Sequence, residues 1–235
     1  MKKHFGLTAY FQRYEQKYLL NLVQYHAVID MLKDHAYIDE YGLSTIYSLY
    51  YDTPGFAIAR KSRDKSAYKE KLRLRSYGIP RPGDPVYWEL KKKWQGITYK
   101  QRIPAPFTPF VFEFREDTDT PAGNEIHWFF NYYHPLPQCL IIYDRLAFRF
   151  REHPGLRITF DASVRFRASD LDFSHGPQGT VLLDEDRLLM EVKTERAIPL
   201  FLNACFTRLN LFPVAYSKYR MAAEQLMYKR ELQYA

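Results

Sequence analysis

Lysine and arginine recur at every second position in several short segments of this chain. In Tyr68–Tyr77, Lys69, Lys71, Arg73 and Arg75 share one parity, and Tyr68, Glu70, Leu72 and Leu74 share the other. Ile97–Ile103 sets Thr98, Lys100 and Arg102 against Ile97, Tyr99 and Ile103. Val86–Lys93 sets Glu89, Lys91 and Lys93 against Trp88 and Leu90. Leu140–Phe150 sets Tyr143, Arg145 and Arg149 against Ile142, Leu146 and Phe148. Arg187–Thr194 sets Glu191 and Lys193 against Leu188, Met190 and Val192, and in Arg13–Leu20 the residues Arg13, Glu15 and Lys17 fall together. Successive strand side chains point to opposite faces, so each segment reads as a strand with a basic face and an apolar face.

Cations at this density suit a chain of phosphates. Arg73 and Arg75 project side by side, each able to grip a phosphate through its planar fork, and Lys91 and Arg145 can do the same from other strands. Phosphoryl transfer needs positioning and cations, usually with a divalent metal, more than covalent help. Glu191, a carboxylate beside Lys193 on a basic face, is the candidate ligand for Mn²⁺ or Mg²⁺. Such hard ions are held by one or two carboxylates plus substrate phosphates. Glu15 and Glu89 are the other carboxylates in phase with cations and come next as metal candidates. The plain alternative for Glu191 is a Glu–Lys pair in a sheet. Neither GxxxxGKS/T nor GxGxxG occurs, so no Gly-rich phosphate loop is present. No Ser/His/Asp set stands out, and the seven histidines read as structural or surface groups.

The elements that must position these residues follow from the same periodicity. Leu156–Phe166 and Ser44–Asp52 complete a set of eight strands with the six above. Helical patterns fall at Leu22–Asp34, with Asn21 as N-cap, and at Asn124–Tyr133, Pro199–Asn210 and Lys218–Leu232. Thr53-Pro54-Gly55 ends a strand abruptly, and the stretch from Pro104 through Asp119 reads as the least regular region. A polar strand face ordinarily looks at water. Here about six strands repeat a basic face and only four helices are available to cover apolar surface. Placing the apolar face outside under the helices closes the basic face on itself. The expectation is a mainly β (α+β) chain: one domain over residues 1–235, a closed antiparallel β-barrel with a basic lumen and flanking helices. A lumen crowded with cations is costly when empty, through mutual repulsion and desolvation, and becomes sensible when a polyanion fills it.

Bulk composition agrees. The chain has 235 residues, 46% hydrophobic and 17% aromatic, enough for a core and against disorder. A net charge of +7 favours anionic partners without choosing among them. Cys139 and Cys205 sit in apolar contexts with no metal spacing and read as buried reduced thiols. The stretch Met1–Phe11 lacks the apolar region of a signal peptide, and no run of about 20 apolar residues could span a membrane. A cytoplasmic location is expected, with a membrane-protein partner left open.

Eight short motifs in order then carry a family resemblance: Arg13-Tyr14-Glu15-Gln16-Lys17-Tyr18, Ser48-Leu49-Tyr50-Tyr51-Asp52-Thr53-Pro54, Lys71-Leu72-Arg73-Leu74-Arg75, Glu89-Leu90-Lys91-Lys92-Lys93, Tyr99-Lys100-Gln101-Arg102, Tyr143-Asp144-Arg145, Glu191-Val192-Lys193 and Ser217-Lys218. In this order they resemble the VTC domain, the polyphosphate polymerase module of the vacuolar transporter chaperone family, within the CYTH or triphosphate-tunnel superfamily. The resemblance implies a tunnel of antiparallel strands, ATP and polyphosphate as substrates, and Mn²⁺ as the metal. It implies that Lys17, Arg73, Arg75, Lys91, Lys100 and Arg145 form the catalytic group, with Lys218 a further phosphate ligand. Tyr143 and Ser217 are implied as phosphate hydrogen-bond donors and Glu191 as the metal ligand, while Arg13, Lys71, Lys93, Arg102 and Lys193 line the path. Two positions depart from the family's pattern: Arg13 stands where the superfamily's hydrolases often carry the first Glu of ExExK, and Ala215 stands where its polymerases can carry Lys.

Three functions fit these residues: a metal-dependent polyphosphate polymerase, a triphosphatase acting on inorganic triphosphate or nucleoside triphosphates, and a non-catalytic polyanion binder. Nucleic acid is disfavoured as partner, because most aromatics lie on the face opposite the cations and would not stack on the same ligand.

Overall fold

The structure is a computed structural model that describes residues 14–64, 66–95, 97–109, 113–114 and 119–233. Ten strands form one sheet: β1 (Tyr14–Asn21), β2 (Ala36–Ile38), β3 (Ser44–Asp52), β4 (Tyr68–Tyr77), β5 (Pro85–Trp94), β6 (Ile97–Pro106), β7 (Leu136–Phe150), β8 (Arg157–Arg167), β9 (Thr180–Val181) and β10 (Arg187–Thr194). Among the described residues five α-helices accompany them: α1 (Leu22–Leu32), α2 (Ala57–Arg63), α3 (Pro121–Tyr133), α4 (Leu200–Arg208) and α5 (Lys218–Gln233). Every strand pair is antiparallel and the order is β1-β10-β8-β7-β3-β4-β5-β6, with β2 on β7 and β9 on β8.

Local chemistry explains most element boundaries. Asn21 and Gln24 exchange side-chain and backbone hydrogen bonds as a capping box that starts α1. Thr120 caps α3, and Pro121 occupies its first turn, where a missing N–H costs nothing. Hence α3 begins earlier than the expected Asn124. The prolines that suggested irregular chain at 104–106 instead continue β6 to Pro106, because β6 is an edge strand whose outer donors have no partner to lose. The acidic run after Glu113 lies largely outside the described residues, as does Arg13.

The sheet is not closed into a barrel, which corrects the expectation. Among the described residues no ladder joins the two ends of the order, β1 and β6. The free edge of β1 is met by the segment leading to α5, where Val214 N–H donates to the Lys17 carbonyl at 2.7 Å. The sheet still curls until its inner face meets itself. Lys91 Nζ on β5 reaches Glu15 Oε2 on β1 at 3.4 Å, although five strands separate them along the order of the sheet. Register shifts at Tyr50/Tyr51 and Ile142/Asp144 supply local bends.

The apolar outer face carries two clusters. Tyr51, Leu72, Leu74, Trp88, Leu90 and Ile142 pack under α3 through Ile126 and Phe129. Tyr18, Leu20, Phe148, Phe160, Met190 and Val192 pack under α1 and α4. A third cluster lies inside the curl. Ile46, Tyr50, Cys139, Ile141 and Leu189 meet Tyr219, Ala222, Ala223 and Met227 of α5, together with Phe56, which precedes α2, and Ala59 of α2. Not all helices therefore lie outside, as the sequence suggested. The inner face is apolar along part of β3 and β7, and α5 covers that part.

Candidate functional site

The remaining inner face is a cationic trough. Lys71, Arg73 and Arg75 project from β4, Lys91 from β5, Lys100 and Arg102 from β6, Arg145 from β7, Lys193 from β10, Lys17 from β1, and Lys218 from the start of α5. Four carboxylates sit among these ten cations. Each is held by at least two of them.

Glu89, 1% exposed, stands at the centre of one group. Arg73 grips its Oε2 through Nε at 2.8 Å and Nη2 at 2.6 Å, and Arg75 approaches at 3.5 Å. Lys100 reaches Oε1 at 2.7 Å and Arg102 at 3.3 Å. Burial alone would raise the Glu89 carboxyl, but Arg73, Arg75 and Lys100 hold it far below its usual range. Arg73 also donates to Tyr50 Oη at 2.9 Å, and Arg75 donates to Ser48 Oγ at 3.2 Å and Tyr143 Oη at 3.1 Å.

Glu191 and Asp161 form the second group. Lys193, Lys17, Arg145 and Lys218 approach Glu191 at 3.1, 3.3, 3.6 and 3.9 Å. Asp161, fully buried on β8, takes a two-pronged grip from Arg145 at 2.6 and 2.7 Å and a short contact from Lys218. Against the cost of burial, these cations hold both carboxyls below their usual range. Glu15 shares Lys17 with Glu191, at 3.5 Å, and reaches Lys91.

Among the described residues one of the ten, Lys71, has a hydroxyl rather than a carboxylate as partner. Lys71 donates to Ser217 Oγ at 2.8 Å. Burial, with Lys17, Lys91, Arg220 and Arg73 nearby, pushes its ammonium down to about 7. Burial pulls Lys100 to about 8 despite Glu89, with Arg73 and Arg75 adding to the effect. Lys91 is also lowered, by burial and by Lys17 and Lys193, against the opposing pull of Glu15 and Glu191. Tyr143 stands between Arg145, Arg75 and Lys218, which bring its phenol down although burial opposes them.

The structure thus gathers Lys17, Lys71, Arg73, Arg75, Lys91, Lys100, Arg102, Tyr143, Arg145, Glu191, Lys193, Ser217 and Lys218 around one trough, with Glu15 and Glu89 among them. Lys93 lies at one end, exposed and in register with Lys69. Asp161 was not anticipated. Its signal was an aspartate inside a strand, between Phe160 and Ala162, where that residue type is depleted.

Among the described residues no group of three or more His, Cys, Asp or Glu side chains is arranged to hold a metal ion. Glu191 and Glu15, flanking the same lysine, are hard oxygen donors of the kind Mn²⁺ or Mg²⁺ accepts when phosphate oxygens complete its shell. The donor set therefore fits a metal that arrives with its substrate better than one caged by protein. No helix among the described residues is long and apolar enough to cross a membrane.

Comparison with solved structures finds a proposed adenylate cyclase from Vibrio parahaemolyticus at TM-score 0.49 and 14% identity, covering 92% of this chain and 99% of that one. A Pyrococcus horikoshii protein follows at TM-score 0.46 and 11% identity, covering 90% and 99%. The capping-enzyme triphosphatase of Mimivirus reaches 0.35 at 9% identity, covering 83% and 88%. At these scores the likenesses add nothing to the reading of the site. No curated protein matches. The family comparison is decisive instead: the VTC domain model matches residues 12–227, nearly the entire length, and the chain belongs to the VTC domain family.

Proposed function

We propose that this chain is a metal-dependent polyphosphate polymerase that transfers the γ-phosphate of ATP to the end of a polyphosphate chain lying in the trough. The observation that carries the reading is the partnering of the carboxylates: Glu15, Glu89, Asp161 and Glu191 each contact at least two cations. A carboxylate so held is a poor base and a poor orienter of water. Polymer growth needs neither. The terminal oxygen of the acceptor is already anionic, attacks the γ-phosphorus, and forms a new P–O–P bond as the bond to the β-phosphate oxygen breaks and ADP leaves.

The protein's task is to let two anions approach. Arg73, Arg75, Lys100 and Lys91 on one wall, and Arg145, Lys17 and Lys218 on the other, offset that repulsion and hold the reacting groups in line. Phosphate oxygens would replace Glu89 and Glu191 as partners of these cations. Glu191, with Glu15, would hold Mn²⁺ or Mg²⁺, which would supply positive charge against the negative charge developing on the leaving group.

The test is direct. Purified protein incubated with ATP and Mn²⁺ should give a ladder of polyphosphate on a gel. Free phosphate without a ladder would establish a triphosphatase instead, and no product with tight triphosphate binding would establish a non-catalytic binder.

A further inference from the structure

One end of the trough is built differently from the rest. The inward parity of β4 runs Lys69, Lys71, Arg73, Arg75 and then ends on Tyr77; that of β5 runs Lys93, Lys91, Glu89 and ends on Tyr87. Most aromatics of the sheet lie on its outer face or under α5, but these two break that rule. Arg102 joins them from β6. Its guanidinium lies 3.8 Å from the centre of the Tyr87 ring and 5.4 Å from that of Tyr77, and it donates to Tyr77 Oη at 2.7 Å. The two rings meet edge to face at 5.9 Å. Tyr77 nevertheless keeps 49% of its surface open. A clasp that served packing alone would bury its rings. The opposite end carries Lys69, Lys93 and Gln95 around a shallow polar pocket with Ser66 and Ala67.

We propose that Tyr77, Tyr87 and Arg102 form a shelf for the nucleobase of a nucleoside triphosphate whose phosphates run inward over Arg75 and Arg73. Bases stack on tyrosine rings and on guanidinium planes alike. Tyr77 and Arg75 are two residues apart on one strand, about 7 Å, which is a suitable reach from a stacked base across the ribose to the first phosphates. Stacking is tolerant of base identity, so the shelf distinguishes a nucleotide from inorganic triphosphate rather than one base from another. It also gives the trough a direction: the donor enters at the tyrosine end, and the growing chain extends toward Lys69 and Lys93. The proposal rests on the reading of the trough as a phosphate site.

The test is calorimetry without metal, comparing ATP and inorganic triphosphate on the wild type, Tyr77→Ala and Tyr77→Phe. Tyr77→Ala should weaken ATP about tenfold and leave triphosphate affinity unchanged. Tyr77→Phe, which keeps the ring and loses the hydroxyl, should retain ATP affinity. If both ligands weaken in parallel, or neither changes, Tyr77 is a structural residue and the shelf is refuted while the phosphate site stands. If the wild type binds neither ligand, the phosphate site and the shelf fall together.

Discussion

Glu191 is the carboxylate on which the proposed chemistry turns, and its surroundings say what replacing it should do. Four cations lie within 4 Å, so it acts as an internal stand-in for an anion. Glu191→Gln preserves shape and removes the charge. Metal-dependent turnover should fall about 100-fold, while triphosphate affinity measured without metal should hold or rise, because one competing negative charge has gone. Near-normal turnover at low Mn²⁺ would reduce Glu191 to a partner of its lysines and move the metal to Glu15 or Glu89. Arg73→Ala should instead weaken both affinity and rate, since that guanidinium would touch phosphate in ground and transition states alike. Glu191 was legible in the sequence because Met190–Thr194 alternates and no register shift interrupts β10. Asp161 was not singled out, although it falls on the polar parity of β8 with Arg157 and Thr159, and only the second half of that strand departs from simple alternation. The even positions of β8 are apolar throughout, from Ile158 to Phe166, and read as one buried face. In the fold Ser163 takes a positive φ of 49° beside a register shift, and the faces exchange. Phe160 packs outward under α1 and α4, Val164 and Phe166 pack inward against α5, and Asp161 turns into the trough.

At the scale of elements, α5 closes one part of the inner face, and a buried aspartate ties it to α2 and the end of β3. Asp52, fully buried at the end of β3, accepts hydrogen bonds from the N–H groups of Thr53, Ile58 and Ala59, and from Tyr219 Oη at 2.6 Å. It thus caps α2, whose own N-cap residue Phe56 has a left-handed backbone and no side chain to serve, and ties α2 to α5. Asp52→Ala should cost about 3 kcal/mol in urea unfolding, because it leaves several buried donors unpaired. Tyr219→Phe removes one bond and should cost about 1 kcal/mol. Equal costs for the two would mean that Asp52 serves only α5. This joint could not be read from the sequence. Thr53-Pro54-Gly55 signalled a stop, and α2 behind it is seven residues long with neither a periodic apolar face nor a conventional cap. The strands were legible because charge and apolarity alternate on them. The failure of the barrel to close was not, because it depends on β6 and β1 having no partner for each other's edges, with the chain before α5 meeting β1.

For the molecule as a whole, the excess of cations in the trough sets opposite pH dependences for stability and for binding. Lys71 is pushed down to about 7 and Lys100 to about 8, whereas an unfolded lysine titrates near 10.4. Between those values the unfolded chain carries protons that the folded chain has shed. Stability therefore rises with pH wherever the unfolded state binds more protons, and the free protein should melt at increasing temperature from about pH 7 to about pH 9. The carboxylates do not mask this, since Glu15, Glu89, Asp161 and Glu191 are all lowered and titrate well below the window. Triphosphate binds the charged lysines, so its affinity should fall across the same interval in which the free protein gains stability. Binding must then draw protons onto Lys71 and Lys100. At pH 8, calorimetry in two buffers of different ionisation enthalpy should register net proton uptake, and Lys71→Met should reduce it. Affinity that stays flat from pH 7 to pH 9, with no proton uptake, would mean that these lysines keep their protons in the free protein and that the empty trough is less costly than its crowding implies.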